Sequence, residues 1–243
     1  MGGESMRILA IGAHPDDHEV GCAGTLAKYG RAGHTVIICN LCDGALGGRI
    51  PKAELAAIRR REAAAAAAVI GAEYIPPLFE DLDLYPDRPS RQKVANLIRE
   101  ARPDLIITHP PVDYAPDHVA TSQLVFDASF LATLPNYVSE MGSEVHPPAV
   151  PIFYMESAGG HDFEPTIWVD ISETFELKKQ MLECHESQVK WLNEWRNTDI
   201  VAQIEAQARY RGMQCGVRYA EVFRPLFASK RVRAYDFLPP GGV

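Results

Sequence analysis

No stretch of this chain is apolar for long enough to cross a bilayer, which takes about 20 consecutive residues. The opening run Met1-Gly2-Gly3-Glu4-Ser5-Met6 has no cationic segment followed by an apolar one. It therefore does not read as a secretory signal, and residues 1–5 read as an extension ahead of a start at Met6. Cysteine is sparse: five residues, at 22, 39, 42, 184 and 215, an odd number in no paired pattern. That usage suits a reducing cytoplasm rather than a disulfide framework. Cys39 and Cys42 have C-x-x-C spacing, but no second pair accompanies them and they close an apolar run, so they read as structural. Positive charge is in deficit, with 24 Lys and Arg against 32 Asp and Glu and a formal net charge of −8. The balance argues against broad binding to nucleic acid or to an anionic membrane. The one basic cluster, Lys230-Arg231-Val232-Arg233, reads as a solvated face. The first loop also lacks G-x-G-x-x-G, which counts against a dinucleotide binder.

What is present is an ordinary soluble composition over 243 residues, 47% apolar and 23% charged, with no internal repeat and no linker-like segment. The spacing predicts strands at Arg7–Gly12, His34–Cys39, Glu73–Ile75, Leu105–Thr108, Pro151–Met155 and Ile167–Asp170. The first two are apolar without alternation, as parallel strands covered on both faces are. Helices are predicted over about Gly21–Gly33, Pro51–Ile70, Pro89–Ala101 and Val119–Ala132. From Ser172 to about Gly212 the pattern is mostly helical, with a break near Asn197-Thr198, and the tail from Tyr219 is mixed. Alternating βαβ units imply one α/β domain over residues 1–243, a Rossmann-like doubly wound, mostly parallel sheet. The C-terminal helices are expected to cover one side of the sheet, over the site or at an oligomer contact.

Two loops follow buried strands and carry ionisable residues. The first is Ala13-His14-Pro15-Asp16-Asp17-His18-Glu19, and the second runs from His109 through Asp113 and Tyr114 to Asp117-His118. In an open parallel sheet both lie at the edge where ligands bind, so residues a hundred apart in sequence can meet. His14, Asp17 and His118 would then make a two-histidine, one-carboxylate set, the composition of a catalytic zinc site. Asp16, beside a ligand, is placed to act as general base. Other roles suit the same residues. Asp16 or Asp17 fits a helix cap, and Asp117 fits the N-cap of a helix beginning at His118. His118 alone fits a structural position.

The run His14-Pro15-Asp16-Asp17 followed by Glu19-Val20-Gly21-Cys22-Ala23-Gly24-Thr25-Leu26-Ala27 resembles the first motif of the LmbE-like, or PIG-L, zinc-dependent N-acetylglucosaminyl deacetylases. Asp43-Gly44 with Gly47-Gly48, Arg59-Arg60-Arg61-Glu62-Ala63, Cys184-His185-Glu186-Ser187-Gln188 and Gly216-Val217-Arg218-Tyr219-Ala220-Glu221 resemble later motifs of that family, so the likeness runs over most of the chain. It implies that His14, Asp17 and His118 hold Zn2+, or another divalent first-row metal, and that Asp16 is the general base. It implies hydrolysis of the N-acetyl amide of a GlcNAc-type sugar or its conjugate, by metal-bound water. Asp117 joins the catalytic set. Arg59, His18, His109, Asp113 and Tyr114 are the substrate-facing candidates. Arg59 also suits an ion pair with Glu62 on one helix face, and His185 and Tyr219 equally suit packing. A homo-oligomer, trimer or hexamer, is implied as well.

One departure stands out. The family often carries His-Pro-Asp-His where this chain has Ala115-Pro116-Asp117-His118. A methyl group donates no hydrogen bond, and losing one oxyanion donor costs roughly 10²–10³ in rate. Either His18, His109 or Tyr114 replaces the histidine, or the substrate supplies the donor, or the protein binds metal and sugar with little turnover.

Overall fold

The computed structural model describes residues 5–137 and 149–231. Residues 1–4, Val232 and Arg233 of the basic cluster, and the Pro239-Pro240-Gly241-Gly242 tail lie outside them. The centre of the sheet is β1 (Arg7–Gly12), flanked by β2 (Thr35–Asn40) and β4 (Leu105–Thr108), both parallel to it. Outside these lie β3 (Glu73–Ile75), parallel to β2, and β5 (Ile152–Met155), parallel to β4. Alternation along β1 creates two cores. Leu9 and Ile11 pack with Val94 and Ile98 of α4 (Arg88–Ala101) and Leu124 of α5 (Pro116–Leu131). Ile8 and Ala10 pack with Leu26 of α2 (Ala23–Arg31), Ala66 of α3 (Lys52–Val69) and Met181 of α6 (Phe175–Glu183). The doubly wound α/β fold follows, with a C-terminal helix completing one face. Beyond α6, α7 (Glu186–Arg196) contacts α3, and α8 (Ile200–Cys215) packs on the far end of the sheet. Among the described residues no helix is long and apolar enough to cross a membrane.

Three features differ from the sequence reading. The tail read as mixed contains β7 (Ala220–Pro225), which pairs antiparallel with β5 on one side and with β6 (Ile167–Asp170) on the other. The sheet order is thus β3-β2-β1-β4-β5-β7-β6.

The helix expected over 21–33 starts earlier and is broken into α1 (Asp17–Gly21) and α2 at Cys22. The break has a chemical cause. Glu221 of β7 accepts hydrogen bonds from the Gly24 and Thr25 backbone N–H groups at 2.9 and 2.7 Å, and Lys178 donates to the Val20 carbonyl at 2.9 Å. A buried ion pair between Lys178 and Glu221, 2.7 Å apart, therefore satisfies the backbone groups that a continuous helix would pair internally.

α5 begins at Pro116 rather than near Val119. Proline loses no hydrogen bond in a first turn. Asp117 thus falls inside that turn, and Ala115 is the residue at the cap. Cys39 and Cys42 are buried free thiols.

Candidate metal centre and active site

The loop after β1 is held in an unusual shape. Asp16 has φ 112°, outside the range L-residues prefer, at a cost on the order of 1–3 kcal/mol that surrounding contacts must offset. Those contacts are present. Asp17 Oδ2 accepts from the backbone N–H groups of Ala13 at 2.9 Å and His14 at 2.6 Å. Asn40 donates to the His14 carbonyl at 2.6 Å. Arg59, from α3, donates to the carbonyls of Pro15 and of Gly44, the latter at 2.9 Å, and its Nη2 lies 3.3 Å from Asp16 Oδ2. Gly44 has φ +67°, and a Cβ there would stand 2.3 Å from the guanidinium. The glycine lets Arg59 through.

Around this turn the two loops meet. Ligand-capable atoms of His14, Asp17 and His118 all lie within 4.8 Å of one another. His118 Nε2 is 3.3 Å from Asp17 Oδ1, and His14 Nδ1 is 3.8 Å from Asp17 Oδ2. Each histidine is held from behind by acid. His118 Nδ1 bonds Asp113 Oδ1 at 3.0 Å, while His14 Nε2 faces Asp117 Oδ2 at 3.1 Å and Asp81 Oδ1 at 3.2 Å. Carboxylates so placed fix ring orientation and leave the inward nitrogens free for an ion.

The electrostatics follow. Burial opposes charge on His14, but Asp117 and Asp81 outweigh it and raise the pKa to about 9. Burial likewise opposes charge on His118, yet Asp17 and Asp113 raise it to about 10. Burial works against ionised Asp17, but His118 and His109 hold its carboxyl well below the usual range. Burial drives the Asp16 carboxyl upward against the pull of Arg59.

A cavity of about 260 Å³ opens over these groups, lined by His14, Asp16, Asp17, Arg59, His118 and Ala115 among others. The remaining predicted site residues separate into two groups. Tyr114 and His109 line the cavity. Tyr114 presents its edge to His118 at 5.2 Å, and His109 stacks on His118 at 3.9 Å with Nε2 2.9 Å from Asp17 Oδ2. Burial and the His118 charge lower the His109 pKa to about 4.

Of the expected site residues, His18, Asp113 and Asp117 do not line this cavity, and Asp113 lines the neighbouring groove instead. His18 is buried beneath the turn, against Asn40 and Gly12, because the helix starts at Asp17 and turns this side chain inward. Asp113 and Asp117 bond His118 and His14 respectively.

The Arg59–Glu62 alternative is likewise replaced. Glu62 accepts from Ser187 N at 2.8 Å and Oγ at 2.6 Å, at the start of α7. His185 is buried against Glu19, and Tyr219 stacks on Phe175 at 3.9 Å.

Asp81 escaped the sequence reading. Its signal was the acidic run Glu80-Asp81-Leu82-Asp83 just after β3, at the same sheet edge as the two named loops. Gln188 also lines the cavity and donates to the Gly47 carbonyl at 2.9 Å; it sat within a late motif. Glu156 and Ser157, just past β5, belong to the wall too.

Residues 9–129 match the family described as PIG-L, GlcNAc-PI de-N-acetylase. The diacetylchitobiose deacetylase of Thermococcus kodakarensis is 31% identical over 228 residues, covering 90% of this chain and 82% of that protein. The solved structure of N,N'-diacetylchitobiose deacetylase from Pyrococcus horikoshii, complexed with its inhibitor, is similar with a TM-score of 0.79 at 28% identity, over 92% of this chain and 84% of that one. A 4-oxalmesaconate hydratase of Pseudomonas putida is 25% identical over 189 residues, covering 72% of this chain and 71% of that protein. By extended sequence likeness and by fold, this chain belongs to the PIG-L family.

Proposed function

We propose that the chain is a divalent-metal-dependent, zinc-using N-deacetylase that removes the acetyl group from a GlcNAc-type amino sugar or its conjugate. The observation that carries the reading is the convergence of His14, Asp17 and His118 beneath a cavity that Asp16 also lines. The donor set fits an ion. Two imidazoles and a carboxylate, each histidine backed by acid, suit zinc and related metals. Ligand atoms of a tetrahedral site at about 2.0–2.1 Å from the ion lie about 3.3 Å apart, and His118 Nε2 and Asp17 Oδ1 are 3.3 Å apart. When bound, the ion supplies Lewis acidity, polarising the amide carbonyl and lowering the pKa of water to about 7.

The protein does the rest. Asp16, aimed by its strained backbone and steadied by Arg59, takes the proton of the attacking water and returns it to the leaving amine. Its upward pKa shift favours that exchange near neutral pH. Of the three candidates to replace the family histidine at 115, His18 lies outside the cavity and His109 is engaged with Asp17. Tyr114 remains, a hydroxyl-bearing side chain on the cavity wall next to Ala115, and we assign it the missing donor role. The relatives named as deacetylases support the reaction class.

The test is acetate release from a panel of N-acetyl sugars, with and without a chelator. Metal-dependent acetate is expected. No acetate from any of them with metal supplied overturns the reading in favour of a binding protein or of the hydratase chemistry of the Pseudomonas relative.

A further inference from the structure

Gln188, in the first turn of α7, is 5% exposed and lines the catalytic cavity. Its Nε2 donates to the Gly47 carbonyl at 2.9 Å. A carbonyl only accepts, so this bond decides which end of the side-chain amide is which. The NH2 end faces the glycine-rich loop after β2, and Oε1 is the end left over. Among the described residues no donor bonds Oε1. Leaving a buried carbonyl oxygen unpaired is unfavourable, so its donor must come from the cavity.

Gly47 keeps the space beside that atom open. A Cβ there would stand 3.1 Å from Gln188 Oε1 and 3.0 Å from Arg59 Nη1, closer than ordinary van der Waals contact. The glycine also lines the cavity, and its φ lies outside the left-handed region, so the backbone does not call for glycine here. What the missing side chain provides is room next to an acceptor.

The amide is held still as well. The adjacent Ser187 donates to Glu62 of α3, from N at 2.8 Å and from Oγ at 2.6 Å. Towards the other end of α7, the Arg49 guanidinium covers the Trp195 ring, 3.4 Å from its centroid. The loop is thus tied to the helix twice, at Gly47 and at Arg49. An acceptor fixed in this way loses little freedom when a ligand uses it. Asp81 and Glu156, acids of the same wall, are already engaged. Asp81 faces His14 Nε2 at 3.2 Å and accepts from the Leu46 N–H at 2.8 Å. Glu156 accepts from Arg211 Nε at 2.9 Å and Gln207 Nε2 at 2.7 Å.

Resting on the deacetylase reading above, we infer that Gln188 is a specificity-determining residue whose Oε1 accepts a hydrogen bond from one hydroxyl of the amino sugar being deacetylated. The end of the amide offered to the cavity accepts and does not donate. It recognises a free hydroxyl and rejects the same position when the oxygen is absent or capped as an ether.

The probes are N-acetylglucosamine and the analogues that each lack one of its non-anomeric hydroxyls. Acetate release is followed for the wild-type holoenzyme, Gln188→Met and Gly47→Ala. Methionine keeps the length of the side chain without its acceptor, and alanine fills the space beside it. In the wild type at least one deoxy sugar should fall below the parent in kcat/KM by about tenfold, the size of one hydrogen bond. In Gln188→Met that ratio should approach one, because the parent loses a bond the deoxy sugar never made. Gly47→Ala should shrink it in the same direction. Each ratio is taken within one preparation, so a smaller folded fraction cancels. Acetate release in which no deoxy ratio depends on Gln188 overturns the inference and leaves the deacetylase reading intact. If no sugar yields acetate with metal supplied, the deacetylase reading falls, and calorimetric binding of the same sugars to the same proteins decides. A hydroxyl preference lost in Gln188→Met keeps the Gln188 assignment, and no such preference removes it too.

Discussion

Replacing Arg59 by methionine removes one side chain that serves three acceptors. Arg59 is 3% exposed, and its guanidinium donates to the Pro15 and Gly44 carbonyls and stands 3.3 Å from Asp16 Oδ2. Breaking a buried ion pair from one side costs about 3–5 kcal/mol, because the other charge is left buried and unpaired. Asp16 has one relief, since it can take up a proton, so the low end, about 3 kcal/mol, is the working figure. For a chain of this size each kcal/mol shifts the melting temperature by about 2–4 °C, giving a fall of roughly 6–12 °C. Thermal unfolding of metal-free wild type and Arg59→Met checks it.

The catalytic consequence has a defined sign. Loss of the Arg59 charge raises the Asp16 pKa further, so the acid limb of the kcat profile moves to higher pH, and kcat at neutral pH falls more than KM rises. Arg59→Lys keeps the charge but not the fork of donors, and should restore part of both losses. An unchanged melting temperature together with a rise in KM alone refutes the reasoning and leaves Arg59 a simple substrate contact.

Tyr114→Phe should lower kcat by roughly 10²–10³ with little change in folding, if its hydroxyl replaces the donor absent at Ala115; steady-state kinetics beside circular dichroism decides. Lys178→Met leaves Glu221 buried without its partner and should cost about 3–5 kcal/mol in denaturant unfolding. The folded fraction should keep its kcat, since neither residue lines the catalytic cavity. In the metal-free protein His14 and His118 hold protons with pKa values raised to about 9 and about 10. Both lie above the unfolded value of about 6.5, so their contribution to stability is full below pH 6.5 and is lost as pH rises through 9 to 10. An ion must displace those protons, so metal affinity should climb across the same window, as competition with a chromophoric chelator would show. A flat profile contradicts it.

The parallel half of the sheet was readable because its strands are continuous apolar runs and its loops carry the ionisable residues. The edge position of His14, Asp17 and His118 followed from topology alone. Side-chain direction did not. Whether His18 points into the cavity or beneath the turn depends on α1 beginning at Asp17, and that depends on Arg59 and Asn40, which arrive from elsewhere in the chain. Asp113 and Asp117 were visible as acids beside a ligand, but their partners, His118 and His14, became clear only once the loops met. β7 was hidden because its pairing with β5 and β6 spans long sequence separations and leaves no local pattern. The break at Cys22 was hidden for the same reason, since its cause, Glu221, lies some two hundred residues away. Asp81 had a local signal, an acidic run at the carboxyl edge of a strand, and belonged with the other two loops.

The central claim is that one divalent ion, held by His14, Asp17 and His118, is what acetate release depends on. Zinc added stepwise to chelator-stripped protein, with acetate from N,N'-diacetylchitobiose counted at each step, tests it directly. Activity rising linearly from zero and levelling at one ion per chain, with His118→Ala binding no ion at that stoichiometry, is the predicted result. Full acetate release by the stripped protein, or saturation with zinc without any acetate, contradicts it.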